Sequence, residues 1–133
     1  MKRHYKPLPI LSENEIERIM SDGSIEELII LPLTIGENHT QWKFAQDLCI
    51  KLSEHPDSRV KANAILGLAY VARTKGKLEK HIIKPILLKA LREEKEYKWR
   101  IKDALEDINL FMGWNIGEKH VFESVEIIEC QTK

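Results

Sequence analysis

Five residues near the middle of the chain, "HPDSR" from His55 to Arg59, carry the side chains of a hydrolytic site. An imidazole can move a proton, a carboxylate can orient the imidazole, and a hydroxyl can attack. Such a triad is assembled from separate segments, whereas His55, Asp57 and Ser58 are nearly adjacent in sequence. Each also has a simpler duty at a corner. Pro56 lacks an amide hydrogen and restricts His55, so it stops a helix, while Asp57 or Ser58 can accept the free amides of the next one. The stretch reads as a turn.

Other groups fare no better as chemistry. In "DALEDI", Asp103, Glu106 and Asp107 fall on one side of a helix, where they could bind a cation or act as an acid–base pair. A solvated polar face explains them more simply. The histidines His4, His39, His55, His81 and His120 show no pair at three or four residues, and none adjoins a cysteine, so no zinc spacing is present. Cys49 and Cys130 form neither a disulfide framework nor a ligand motif. Gly113 and Gly117 in "GWNIG" follow a helix as a terminator, not as a phosphate loop. The expectation is a chain without catalytic residues, metal or cofactor.

The elements that must position any binding residues are helical. Hydrophobic residues make up 43% of the 133 positions and charged residues 32%, an ordinary globular composition for one domain. No apolar run is long enough to span a bilayer, and the basic, proline-containing start does not read as a signal peptide. A cytoplasmic protein with reduced thiols is expected. Ser12 with Glu15 and Ser24 with Glu27 have the spacing of capping boxes. Pro32 and Gly36 are expected to end the second helix or leave it short. From Gln41 to Ser53, Trp42, Ala45, Leu48, Cys49 and Leu52 recur at helical spacing. The next helix, about 58–73, is apolar nearly all round: Val60, Ala64, Leu68 and Val71 share one face, and Ala62, Leu66, Ala69 and Tyr70 lie round the other. Such a helix belongs in the middle of a stack. Two more helices follow, the first on Ile83, Leu87 and Leu91, the second on Ile101, Ala104, Leu105 and Ile108.

These helices repeat. A shift of 39 aligns Phe44, Leu48, Cys49 and Leu52 with Ile83, Leu87, Leu88 and Leu91; a shift of 40 aligns Ala64, Ile65, Leu68 and Val71 with Ala104, Leu105, Ile108 and Phe111. Two helices per period of about 40 residues mark a HEAT-type or armadillo-type array. The stretch "HPDSRVKANAILGLAYVA" resembles the HEAT-repeat core, with its Pro-Asp corner, Val-basic pair and spaced Ala/Leu helix. "WKFAQDLCIKLSEHPDSRVKANAILGLAYVARTKGKL" and "DALEDINLF" resemble small bacterial HEAT-like proteins. The resemblance covers roughly residues 12–112 and implies proteins found beside polymorphic or contact-dependent growth inhibition toxins, serving as immunity proteins; it implies no catalytic residue. The expected fold is a single all-α domain, a short right-handed α-solenoid. Capping helices occupy 12–36, a first repeat 41–73, a second repeat 80–112, and a tail 113–133 whose apolar residues fit strand and helix alike.

Charge and exposure suggest what such a stack does. Residues 13–57 hold ten acids and three bases, residues 58–92 nine bases and one acid. The basic run Arg73, Lys75, Lys77, Lys80, Lys84, Lys89 and Arg92 raises nucleic-acid binding, possible base-excision chemistry included, as one reading. The acidic flanks oppose it, as does a sequence pI near 7.0. Trp99, Asp103, Glu106 and Leu110 fall opposite Ile101, Ala104 and Ile108, so they form a protein-binding hot spot unless the tail "EKHVFESVEIIEC" covers them. The leading expectation is therefore a non-enzymatic protein-binding module, an immunity protein that occludes the active site of a cognate toxin, such as a nuclease. Trp99, Leu110 and Tyr70 would be its apolar contacts, with Arg73, Asp103, Glu106 and Asp107 as its charges. A scaffold or adaptor with another protein partner is the third reading.

Overall fold

The computed structural model describes residues 8–117, and these form an all-α fold. Six helices follow in order: α1 (Glu13–Asp22), α2 (Ile25–Asn38), α3 (Trp42–Leu52), α4 (Ser58–Lys75), α5 (Lys80–Glu93) and α6 (Lys98–Met112). α4 lies at the centre, packed against α2 on one side, α6 on the other, and α3 across its back. α1 rests on α2, and α5 on α6. Ten of the residues of α4 are buried, among them Val60, Ala64, Leu68 and Val71 on one flank and Ala62 and Ala69 on the other. Two apolar faces thus make a central helix.

The helix starts follow local chemistry. Ser12 Oγ accepts the Glu15 amide at 3.2 Å, while the Glu15 carboxylate accepts the Ser12 amide at 2.9 Å. Ser24 and Glu27 repeat the exchange at 3.2 and 3.0 Å. Asp57 caps α4 by accepting the Arg59 amide at 2.8 Å, so Ser58 is the first helical residue. α5 has no cap of its own. Buried Gln46, reaching across from α3, accepts the Glu79 amide at 2.7 Å and donates to the Glu79 carboxylate at 2.8 Å. Gly76 and Gly113 end α4 and α6 in the left-handed conformation that glycine adopts without a Cβ penalty.

One expectation is corrected. Pro32 and Gly36 do not end α2; both lie inside it, and the helix continues to Asn38, with 14 residues like α5. The proline forfeits one helical hydrogen bond, but Leu31, Pro32, Thr34 and Ile35 are all buried. Packing against α4 outweighs the local penalty because two glycines bring the backbones into contact. A Cβ on Gly67 would lie 2.6 Å from the Pro32 carbonyl oxygen, and one on Gly36 would lie 2.4 Å from that of Gly67. A second correction concerns the repeat. Ala104, Leu105 and Ile108 are buried like their partners Ala64, Ile65 and Leu68, but Phe111 is 44% exposed where Val71 is enclosed. α4 is covered on both sides, whereas among the described residues no helix follows α6 to cover Phe111.

Two outcomes are expected. Gly67→Ala must push α2 away from α4 and should lower unfolding stability by about 1–3 kcal/mol in urea titration, as overpacking does. The second concerns acid. Arg59, through its side-chain hydrogen bonds and then its amide, holds the Asp57 carboxyl down at about 2, and Arg18 together with the Ser24 amide holds Glu27 at about 2. Lowered folded values mean that this stabilisation is complete above the unfolded value of about 4 and is lost as pH falls towards 2. Asp57→Asn should therefore flatten the pH–stability profile in that window while leaving the shape above pH ~5 unchanged.

Candidate functional site

The residues that resembled a catalytic cluster are occupied in building the corner. His55 Nδ1 accepts the Asp57 amide at 3.0 Å, and both Asp57 oxygens are taken by the Arg59 guanidinium at 3.2 and 2.9 Å. His39 does the same before α3: Nδ1 accepts the Gln41 amide at 3.0 Å, which leaves the ring proton on Nε2 to bond Glu13 at 3.1 Å. Its ring also stacks on Phe44, with centroids 4.5 Å apart. Sequence reasoning missed this role of the histidines; the common signal is a histidine two residues before the N-cap residue, whose amide it accepts. Cys49 is sealed beneath α2 and α4, and burial pushes its thiol up to about 12, so it is no nucleophile. Among the described residues no three His, Cys, Asp or Glu side chains gather as a metal site would need. A cleft of about 270 Å³ opens between the ends of α3 and α5, lined by Lys61, Lys89, Glu54 and Glu93 over an aliphatic floor. Its hydroxyl, Ser53, donates to the Ile50 carbonyl at 2.6 Å.

The outward stripe of α6 has a different character. Ile101, Ala104, Leu105 and Ile108 face the core, which fixes Trp99, Asp103, Glu106 and Leu110 on the opposite side. Trp99 is 59% exposed and Leu110 73%. Asp103, Glu106 and the neighbouring Asp107 are exposed as well, and none of the three forms an ion pair among the described residues. Two large apolar groups framed by free carboxylates thus stand on a rigid helix. The tail expected to compete for them, from Glu118 on, lies outside the described residues.

Tyr70 and Arg73 belong to another neighbourhood. Tyr70 is half-buried, and the Arg73 guanidinium lies over its ring at 4.6 Å while pairing with Glu37 of α2. Arg73 is thus partly committed within the fold. The basic run is also divided. Lys80 sits over the Trp114 ring at 5.7 Å, and Lys84 and Lys89, five residues apart on α5, point roughly 140° from each other around the helix.

A polar relay ties the face together. Asn63 of α4, only 4% exposed, donates from Nδ2 to the Ile29 carbonyl of α2 at 2.8 Å. Its Oδ1 accepts from Arg100 of α6 at 2.6 Å. The Arg100 guanidinium lies 5.0 Å from the Trp99 ring centroid and 5.5 Å from that of Tyr97. Three helices are thereby joined through one amide. Asn63 is the one amide side chain of α4, but nothing in its spacing marks the bridge.

No membrane-spanning helix occurs among the described residues. No family model and no curated protein matches the chain. The fold does match a solved chain from a CDI complex of Cupriavidus taiwanensis LMG 19424, with a TM-score of 0.71 and 19% sequence identity. The alignment covers 83% of this chain and 98% of that one, so nearly the whole of that protein's fold is shared.

Proposed function

We propose that this chain is a non-enzymatic protein-binding module, and most concretely an immunity protein that neutralises a cognate toxin by covering its active site. The observation that carries the reading is the α6 stripe, where exposed Trp99 and Leu110 are framed by Asp103, Glu106 and Asp107, none of which has an ion-pair partner among the described residues. Trp and its flanking contacts exclude water at the centre of an interface, while free carboxylates steer a basic partner and set its register. A nuclease with a cationic substrate cleft fits that pattern. Fold likeness to a chain of a CDI complex, together with the HEAT-like features of the sequence, supports contact-dependent growth inhibition as the setting. Tyr70 and Arg73, which lie against α2, would form a separate, secondary contact.

Co-expression with a toxin domain taken from a neighbouring reading frame is the direct experiment. The wild-type chain should protect cells and co-elute with the toxin domain in gel filtration. Trp99→Ala should weaken the complex by about 2 kcal/mol, or roughly thirtyfold, with unfolding stability changed by less than about 0.5 kcal/mol. Asp103→Asn with Asp107→Asn should slow association and flatten its salt dependence. Toxicity without rescue, and no complex at micromolar concentrations, would sink the reading.

A further inference from the structure

Arg100 is out of place beside an acidic stripe. Arg18, Arg59 and Arg73 each pair with a carboxylate, and Arg92 stands exposed. Arg100 is half-buried, and among the described residues it has no ion-pair partner. A guanidinium carries five donors, and the amide oxygen of Asn63 uses one of them, at 2.6 Å. Asn63 is itself fixed by the Ile29 carbonyl, and the rings of Trp99 and Tyr97 lie on the guanidinium at 5.0 and 5.5 Å. Neutral groups therefore hold the fork in place without cancelling its charge. A positioned cation with free donors is what a carboxylate binds in a bidentate manner.

We propose that Arg100 is the anion-receiving point of the binding face, taking a carboxylate of the partner beside the slot that receives Trp99; this rests on the reading of α6 as that face. Asn63 is the positioning residue, since it acts through Arg100. The partner surface must then be mixed, with an acidic group opposite the first turn of α6 and basic groups opposite Asp103, Glu106 and Asp107. Turning the partner end for end would bring like charges together, so the pair of signs fixes the docking direction.

The first test needs only the free chain. Iodide and neutral acrylamide are compared as quenchers of the emission that Trp99→Phe removes. Arg100→Met should lower the iodide-to-acrylamide ratio roughly threefold, because the local anion concentration falls with the charge. Arg100→Lys should keep the ratio, and Asn63→Ala should lower it while Arg100 is still present. Thermal midpoints confirm that each variant is folded, and a ratio indifferent to Arg100→Met would overturn the proposal. The second test measures affinity for the same toxin domain, which Arg100→Met should weaken roughly tenfold or more, with partial recovery by Arg100→Lys. Wild-type binding that Arg100→Met leaves intact defeats this inference alone. A wild-type chain that does not bind but shows the iodide signature defeats the functional reading alone.

Discussion

The backbone contact between α2 and α4 sets the geometry of everything around it. Gly67 lies against the Pro32 carbonyl, and Gly36 against that of Gly67, where neither helix has room for a Cβ. At that distance α4 can bond to the backbone of its neighbour. Asn63 reaches the Ile29 carbonyl at 2.8 Å, and Thr74 shares its hydroxyl between the carbonyls of Gly36 and Tyr70 at 3.2 and 2.8 Å. Once Asn63 is fixed, its second atom fixes Arg100, and Arg100 lies against Trp99. The place of an exposed tryptophan on α6 thus depends on two glycines one and two helices away.

Buried polar groups divide the work in the same spirit. Gln46 closes the N-terminus of α5 from within the core, and Asn63 links three helices, so each satisfies backbone or charged groups that would otherwise be stranded. Cys49 does the opposite: it fills volume beside Gly67, with its sulfur 3.8 Å from the Pro32 carbonyl, and its high thiol pKa keeps it out of chemistry. The interior therefore carries specificity without reactivity. A fold assembled this way has its variable chemistry on the outside.

Much of this was legible in the sequence, for identifiable reasons. Capping boxes at Ser12 and Ser24, the break at Pro56 and the two-faced helix from Val60 to Val71 are local signals, and local signals survive folding. The same rules misjudged Pro32 and Gly36, because a helix-breaking propensity is a local cost that α4 overrides through close packing. The outward stripe of α6 was visible from its 3.6-residue period. The Asn63–Arg100 bridge was not, since it joins residues 37 apart and no periodic pattern marks such a pair. Arg73, expected among the charges of a binding face, turns instead to Glu37 on α2.

The separation of core from surface also bears on how such a protein could recognise a particular partner. Ile101, Ala104, Leu105 and Ile108 hold α6 to the stack, while Trp99, Asp103, Glu106 and Leu110 on the other side contribute little to that attachment. Substitutions on the outer stripe can therefore change partner choice at small cost in stability. A neighbour that shares the fold at 0.71 TM-score with only 19% identity is what this arrangement permits. The glycine contact and the buried stripes constrain shape; the exposed stripe is free of that packing constraint. Arg100 is the exception, since it belongs to both sets: one donor serves the inter-helix bridge, and its guanidinium lies over the exposed Trp99 ring. A change there should alter packing and recognition together, which makes the first turn of α6 the least freely variable part of the proposed binding face.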